Sequence, residues 1–379
     1  MMRPRLVVLN NEILPYRIPL FRALADDPQF DLHVLYCARR GWDRSWSLPH
    51  ESLTFDHTVV PGFSIRVRKP DYSERRTIYI NPALMLTLAR LRPEVIVGYE
   101  YSAPALTALL YARLRGARYI VWTEGTTHSE RHITWGQKLT RRLIIPRAQA
   151  YLATSLAACE NLARLGAAPE RIVEAPQCHD VTWLANEADR LRPAAGPRPL
   201  TILYVGFLNE RKGVRQLLEA FEHIRRALPE ARLILAGRGT LHRELADRAG
   251  RMGARRDVEF LDFVEPKRVP EVLAAADVFV LPSLEDTFGV VVVEAWASGL
   301  PVVCSRFAGA ASYIRGPLDG LIVDPTQPAE MGKTIVDLLR QPEMRQRMAV
   351  RGKEIARQFD APVVADRFRR ARALALSTG

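Results

Sequence analysis

The sequence predicts an α/β fold in two halves, each a doubly wound parallel sheet. Three observations carry this expectation. Short apolar, β-branched runs alternate with longer segments of helical periodicity along most of the chain. At 379 residues the chain exceeds one typical domain and suits two of about 150 to 200 residues each. A proline-rich stretch, Arg190-Leu191-Arg192-Pro193-Ala194-Ala195-Gly196-Pro197-Arg198-Pro199, interrupts the pattern near the middle and reads as a linker. The reading therefore places a first domain over 1–195 and a second over 198–358.

In the first half, Leu6 to Asn10 predicts a short buried strand, followed by the loop Asn11 to Arg17 and a helix through about Ala25. Further strands are expected at 32–37, 94–99, 118–123 and 150–154, with helices near 82–92, 103–115, 136–145 and 156–165. Strands separated by helices of this length imply parallel pairing. Ligands of such sheets collect at the carboxyl ends of strands. Three stretches in this half are candidates for binding. Arg66 to Arg76 holds five basic residues and reads as a basic loop, either solvated or facing an anionic group. Trp122-Thr123-Glu124-Gly125-Thr126-Thr127-His128 follows a strand, so Glu124 stands where a carboxylate could orient a hydroxyl or take its proton, with His128 a weaker candidate. Gly136 to Pro146 interleaves Lys138, Arg141 and Arg142 with Leu139, Leu143, Ile144 and Ile145, a pattern that suits either a membrane surface or a core-facing helix with solvated arginines.

The second half opens with a strand at 201–205, which runs into Gly206-Phe207-Leu208-Asn209-Glu210-Arg211-Lys212-Gly213. Two adjacent cations after a strand and before a helix suit neutralisation of a diphosphate, whereas cations oppose a helix N-terminal dipole. Strands follow at 232–236, ending in Gly237-Arg238-Gly239, and at 258–263, ending near Val264. The stretch Val278 to Ser305 reads strand, loop, helix, turn, strand, with Asp286, Phe288, Gly289 and Val290 at the loop-to-helix junction and Glu294 in the helix. Val290 to Val293 would by intrinsic propensity favour strand. The length of the segment and the following Glu294-Ala295-Trp296-Ala297 favour helix. A strand at 321–323 and helices near 328–340, 343–357 and 361–377 complete the chain.

Composition bounds the function. Hydrophobic content of 48% and charged content of 25% are those of a folded globular protein. The net charge of +12, shared between the halves, fits an anionic substrate or an anionic membrane surface, and no nucleic-acid module accompanies it. Cys37, Cys159, Cys178 and Cys304 have no paired spacing and read as reduced structural residues. No apolar run suits a signal peptide or a spanning helix, so a cytoplasmic protein with peripheral membrane contact is expected.

The Val278–Ser305 stretch resembles the nucleotide-sugar signature of retaining glycosyltransferases of family 4. That signature has two acids eight positions apart, the second followed by Ala, and then a small-Gly-x-Pro-Val turn. Asp286 stands where the family usually has Glu, and Phe207 stands where it usually has Arg. Glu124 falls at the position of a customary His. The resemblance implies the GT-B fold, two Rossmann-like domains facing a cleft, with the 361–377 helix returning to the first. It implies that Glu294 binds ribose hydroxyls, that Asp286 binds the donor sugar, and that Arg211 and Lys212 hold the diphosphate with the Gly289 amide. Gly206, Gly237, Val264, Phe288 and Val290 would frame the nucleotide.

The function so implied is retaining transfer from a UDP- or GDP-sugar to a hydroxyl of a glycan or lipid-linked acceptor in cell-surface polysaccharide or glycolipid synthesis. No metal and no separate cofactor are expected. A GT-B nucleotide-sugar epimerase and a non-catalytic nucleotide-sugar-binding protein are the alternatives.

Overall fold

The computed structural model of the chain describes residues 4–39, 53–68, 75–192, 196 and 198–377. The chain divides into two compact units, Met1–His179 with Ala361–Gly379, and Asp180–Asp360. Residues 193–195 and 197 of the proline-rich stretch, and residues 69–74 of the basic loop, lie outside the described residues.

In the first unit the described elements are β1 (Arg5–Glu12), α1 (Ile18–Ala25), β2 (Asp31–Ala38), β3 (His57–Val59), β4 (Phe63–Arg68), β5 (Arg75–Ile80), α2 (Leu84–Leu91), β6 (Val95–Tyr99), α3 (Ala103–Arg115), β7 (Arg118–Thr123), α4 (Trp135–Ile144), β8 (Ala150–Ala153), α5 (Leu156–Arg164) and β9 (Ile172–Glu174). Seven of these strands form one parallel sheet in the order β3-β2-β1-β6-β7-β8-β9. Its central strands β1, β6, β7 and β8 are buried on both faces, as parallel strands covered by helices must be. The described ends of the basic stretch expected as a loop, 66–68 and 75–76, lie instead in two antiparallel strands, β4 paired with β5. Alternation of Phe63, Ile65 and Val67 with polar residues is the strand signal that its charge obscured.

The second unit contains α6 (Val181–Leu191), β10 (Thr201–Val205), α7 (Val214–Ala227), β11 (Arg232–Ala236), α8 (His242–Arg251), β12 (Val258–Leu261), α9 (Val269–Ala274), β13 (Val278–Leu281), α10 (Val290–Ala297), β14 (Val302–Ser305), β15 (Leu321–Val323), α11 (Pro328–Leu339) and α12 (Pro342–Ala356). Its sheet is also parallel, in the order β12-β11-β10-β13-β14-β15. Val290 to Val293 is helical, as length predicted against propensity. Val292 and Val293 are fully buried there and Val290 and Val291 partly so, and this burial outweighs the fraction of a kcal/mol each β-branched residue costs a helix.

Two segments show where tertiary packing sets the division. The stretch from 180 to 192, counted with the first half on sequence, lies in the second unit, because Val181 and Leu184 enter the same core as Trp296 and Phe359. The last helix, α13 (Ala361–Leu376), lies in the first unit, where Val364, Ala365, Phe368, Ala371 and Ala375 join the core of β1, β6 and β7. No helix among the described residues is long and apolar enough to cross a membrane.

Candidate functional site

Each sheet reverses its winding at one place, between β1 and β6 in the first unit and between β10 and β13 in the second. At such a switch point the loops leaving the carboxyl ends diverge and leave a crevice. Both clusters of functional side chains lie there.

In the second unit the loop after β10 and the loop after β13 are laced together. Asn209 accepts a hydrogen bond from the Lys212 amide at 3.1 Å, which closes a single 3-10 turn over Glu210–Lys212. Gly213 ends that turn at φ 66°, where a Cβ would lie 1.9 Å from the Pro282 carbonyl oxygen. Only glycine lets the two loops approach so closely. The Arg211 carbonyl accepts from the Leu284 amide at 2.9 Å, and the Arg211 guanidinium donates to the Glu285 carbonyl at 3.0 Å. These bonds bring Lys212 Nζ to 2.5 Å from Asp286 Oδ2, with both side chains nearly buried. Ser283 Oγ donates to the same carboxylate oxygen at 3.3 Å. Burial pushes the Asp286 carboxyl up, but Lys212 and then Arg211 outweigh it and hold it below the ordinary carboxylate range.

The far side of this loop is pinned by the 305–310 turn. The Asp286 amide donates to the Phe307 carbonyl at 3.2 Å, and the Gly309 amide donates to the Asp286 carbonyl at 3.1 Å. Gly289 caps α10, so Val290 is the first residue of a helix whose opening amides have no intrahelical acceptor and face the crevice end of the sheet. Gly206 and Gly237 meet at the ends of β10 and β11, where a Cβ on Gly237 would lie 1.9 Å from the Gly206 carbonyl oxygen. Their role is close backbone packing. Phe288 is buried between Tyr313 and Phe359, so its ring is core and only its backbone is available to a ligand. Val264 is half-buried against the same core, and Glu294 is half-buried on α10.

In the first unit Arg17 is buried at the centre of a polar cluster. Its guanidinium pairs with Glu124 at 2.6 Å, lies 4.1 Å from the Tyr99 ring centre and 4.4 Å from that of Trp122, and donates to Asn10 Oδ1. Burial opposes the Arg17 charge, and Tyr99, Tyr16 and Glu124 more than offset it, so its pKa lies above the ordinary value. Glu124 Oε1 also accepts from the Tyr99 hydroxyl at 2.6 Å and from Gln177 Nε2. Behind it, Glu100 accepts from the Glu124 amide at 2.7 Å and holds an unusual left-handed backbone at φ 59°. Burial, and then the charge of Glu124, push the Glu100 carboxyl up to about 7.

Arg211, Lys212, Asp286 and the Gly289–Val290 turn, singled out on sequence, thus come together. Glu124 gathers a cluster of its own. Tyr99, Glu100 and Gln177 escaped the sequence reading. Their signal was position, since Tyr99 and Glu100 end one strand and Glu124 follows the next.

The fold of HepE from Anabaena, solved in complex with UDP, superposes on the chain with a TM-score of 0.77 at 17% identity over 98% of this chain and 100% of that one. The architecture is accordingly that of a GT-B protein. Residues 186–355 match the family model described as Glycosyl transferases group 1. The glycogen synthase of Mycobacterium tuberculosis (strain CDC 1551 / Oshkosh) is 32% identical over 196 residues, which are 50% of this chain and 47% of that one. The alpha-D-kanosaminyltransferase of Streptomyces kanamyceticus is 28% identical over 247 residues, 63% of this chain and 64% of that one. The chain spans about half the length of the curated relatives it matches.

Proposed function

We propose that the protein is a metal-independent, retaining glycosyltransferase that moves a sugar from a nucleotide diphosphate sugar to a hydroxyl of a glycan or lipid-linked acceptor. The observation that carries this reading is the Lys212–Asp286 contact at the switch point of the second sheet, with Arg211 and the α10 N-terminus beside it. A nucleotide diphosphate sugar asks for two kinds of group at one place, donors and positive charge for the diphosphate and an ionised acceptor for sugar hydroxyls. The second unit offers both within one laced pair of loops. HepE, the structural neighbour, was solved with UDP, and this supports a uridine donor.

In this reading Arg211, Lys212 and the α10 amides stabilise the charge that develops on the departing diphosphate, the electrostatic role a metal ion fills elsewhere. The glycosidic C–O bond to that phosphate breaks, the sugar becomes oxocarbenium-like, and the acceptor oxygen attacks from the same face while its proton passes to the leaving phosphate. Asp286 holds a sugar hydroxyl, and Glu294 holds the ribose. Glu124, fixed by Arg17, Tyr99 and Gln177, orients the acceptor hydroxyl.

Thermal unfolding in EDTA with UDP, GDP, ADP, dTDP and their common sugars tests the proposal. One nucleotide series is expected to raise the melting temperature, and Lys212→Ala is expected to lower turnover at least a hundredfold, about 3 kcal/mol of transition-state stabilisation. Loss of neither binding nor turnover in Lys212→Ala would refute the assigned site. Binding without turnover in the unaltered protein would instead indicate a non-catalytic nucleotide-sugar binder.

A further inference from the structure

On the first unit, a cavity of about 490 Å³ opens beside the amino-terminal ends of β7 and β8, at the opposite end of the sheet from Glu124. Four arginines from four separate segments line it: Arg113 near the end of α3, Arg118 at the start of β7, Arg147 after α4 and Arg171 before β9. Gln149 and Ser377 add polar groups, and no acidic side chain is among the described lining residues. Four like charges converging on one hollow repel one another unless an anion occupies it. The guanidinium is the side chain best matched to a phosphate, through paired N–H donors.

One wall of the cavity is joined to α4. Arg147 Nη1 donates to the Leu143 carbonyl at 3.0 Å, which ties the cavity wall to the last turn of α4. Along α4, Trp135, Leu139 and Leu143 recur every four residues and form one outward stripe, with exposures of 75%, 39% and 38%. Lys138 and Arg142 are exposed beside the stripe. The opposite face of the helix is satisfied within the protein, since Ile144 is buried and Arg141 pairs with Glu130 at 2.5 Å and stacks on Tyr101. On α3, which contacts α4, Leu110 and Leu114 are exposed on either side of Arg113. A helix that shows water an apolar stripe with a tryptophan, flanked by cations, has the make-up of one that lies in a membrane interface.

We propose that this face docks on an anionic phospholipid bilayer, with the α4 stripe in the headgroup–acyl boundary and a lipid phosphate seated among Arg113, Arg118, Arg147 and Arg171. The inference stands on the first unit alone and does not depend on the donor reading of the second.

Sedimentation of the full chain with phosphatidylcholine vesicles, with and without phosphatidylglycerol, tests it. The protein is expected to pellet with the phosphatidylglycerol vesicles, to stay in solution with pure phosphatidylcholine, and to be released by salt. Charge reversal in the cavity lining, Arg113→Glu with Arg171→Glu, is expected to weaken the binding at least tenfold, and Trp135→Ser with Leu139→Ser to weaken it similarly. Circular dichroism and melting temperature confirm that both double variants fold. Equal pelleting on neutral vesicles, no pelleting at all, or undiminished binding of either folded variant would overturn the proposal. Stabilisation by inorganic phosphate without vesicle binding would also overturn it, and would assign the cavity to a free anion.

Discussion

Glu100 stores two unfavourable choices at one residue, a left-handed backbone without glycine and a half-buried carboxyl close to that of Glu124. Its folded pKa of about 7 lies above that of an unfolded glutamate. A raised carboxyl pKa means that the folded state holds the proton more tightly, so its contribution to stability is complete below the unfolded pKa of about 4.3 and is lost as pH rises through about 7. Glu100→Gln keeps an acceptor for the Glu124 amide and removes the charge. The variant is therefore expected to match the unaltered protein near pH 4 and to exceed it by about 3 kcal/mol at pH 8, as read from denaturant midpoints. The opposite order of stabilities at pH 8 would mean that Glu100 is ionised and paired at neutral pH. Around Glu124 itself, the sequence showed a carboxylate after a strand. It could not show that three donors from 25, 53 and 107 residues away converge on one of its oxygens, because each partner is adjacent only once the sheet has formed.

Among the elements, the paired loops after β10 and β13 decide what the second unit can bind. Their spacing rests on Gly213, whose φ of 66° and 1.9 Å clearance to the Pro282 carbonyl leave no room for a side chain. Gly213→Ala is expected to cost about 2 to 4 kcal/mol, because both backbone strain and a backbone clash must be relieved. The relief moves Lys212 away from Asp286, so nucleotide affinity is expected to fall with stability when both are measured in one titration. Unchanged affinity in a destabilised variant would place the diphosphate elsewhere. This element was legible beforehand, since glycine, adjacent cations and a carboxylate-bearing loop-to-helix junction occur in short local motifs. The β4–β5 pair was not, because its charges resemble those of a solvated loop while its pairing is settled between strands.

For the molecule as a whole, the last helix shows how chain order and packing order part. Phe368 is buried and packs edge-on against Trp122 with ring centres 5.1 Å apart, inside the core of the first unit. Phe368→Ala is expected to cost about 3 to 5 kcal/mol by the cavity it leaves, and to lower the unfolding transition of the first unit. Nucleotide binding, which the proposed function assigns to the second unit, should survive at temperatures below that transition. Loss of nucleotide affinity at a temperature where Phe368→Ala is fully folded would show that the two units are energetically coupled.

By itself the sequence determined that there are two doubly wound halves, and it located Arg211, Lys212, Asp286 and Gly289, since periodicity and short motifs are written in neighbouring residues. It also marked Glu124 as a strand-end acid and α4 as amphipathic. Only the tertiary structure decided that 180–192 joins the second unit, that Phe288 is core, and that Arg17, Tyr99 and Gln177 surround Glu124. It alone turned the apolar stripe of α4 outward beside four converging arginines. Those outcomes depend on which faces meet across long chain separations, and burial, not local pattern, selects among them.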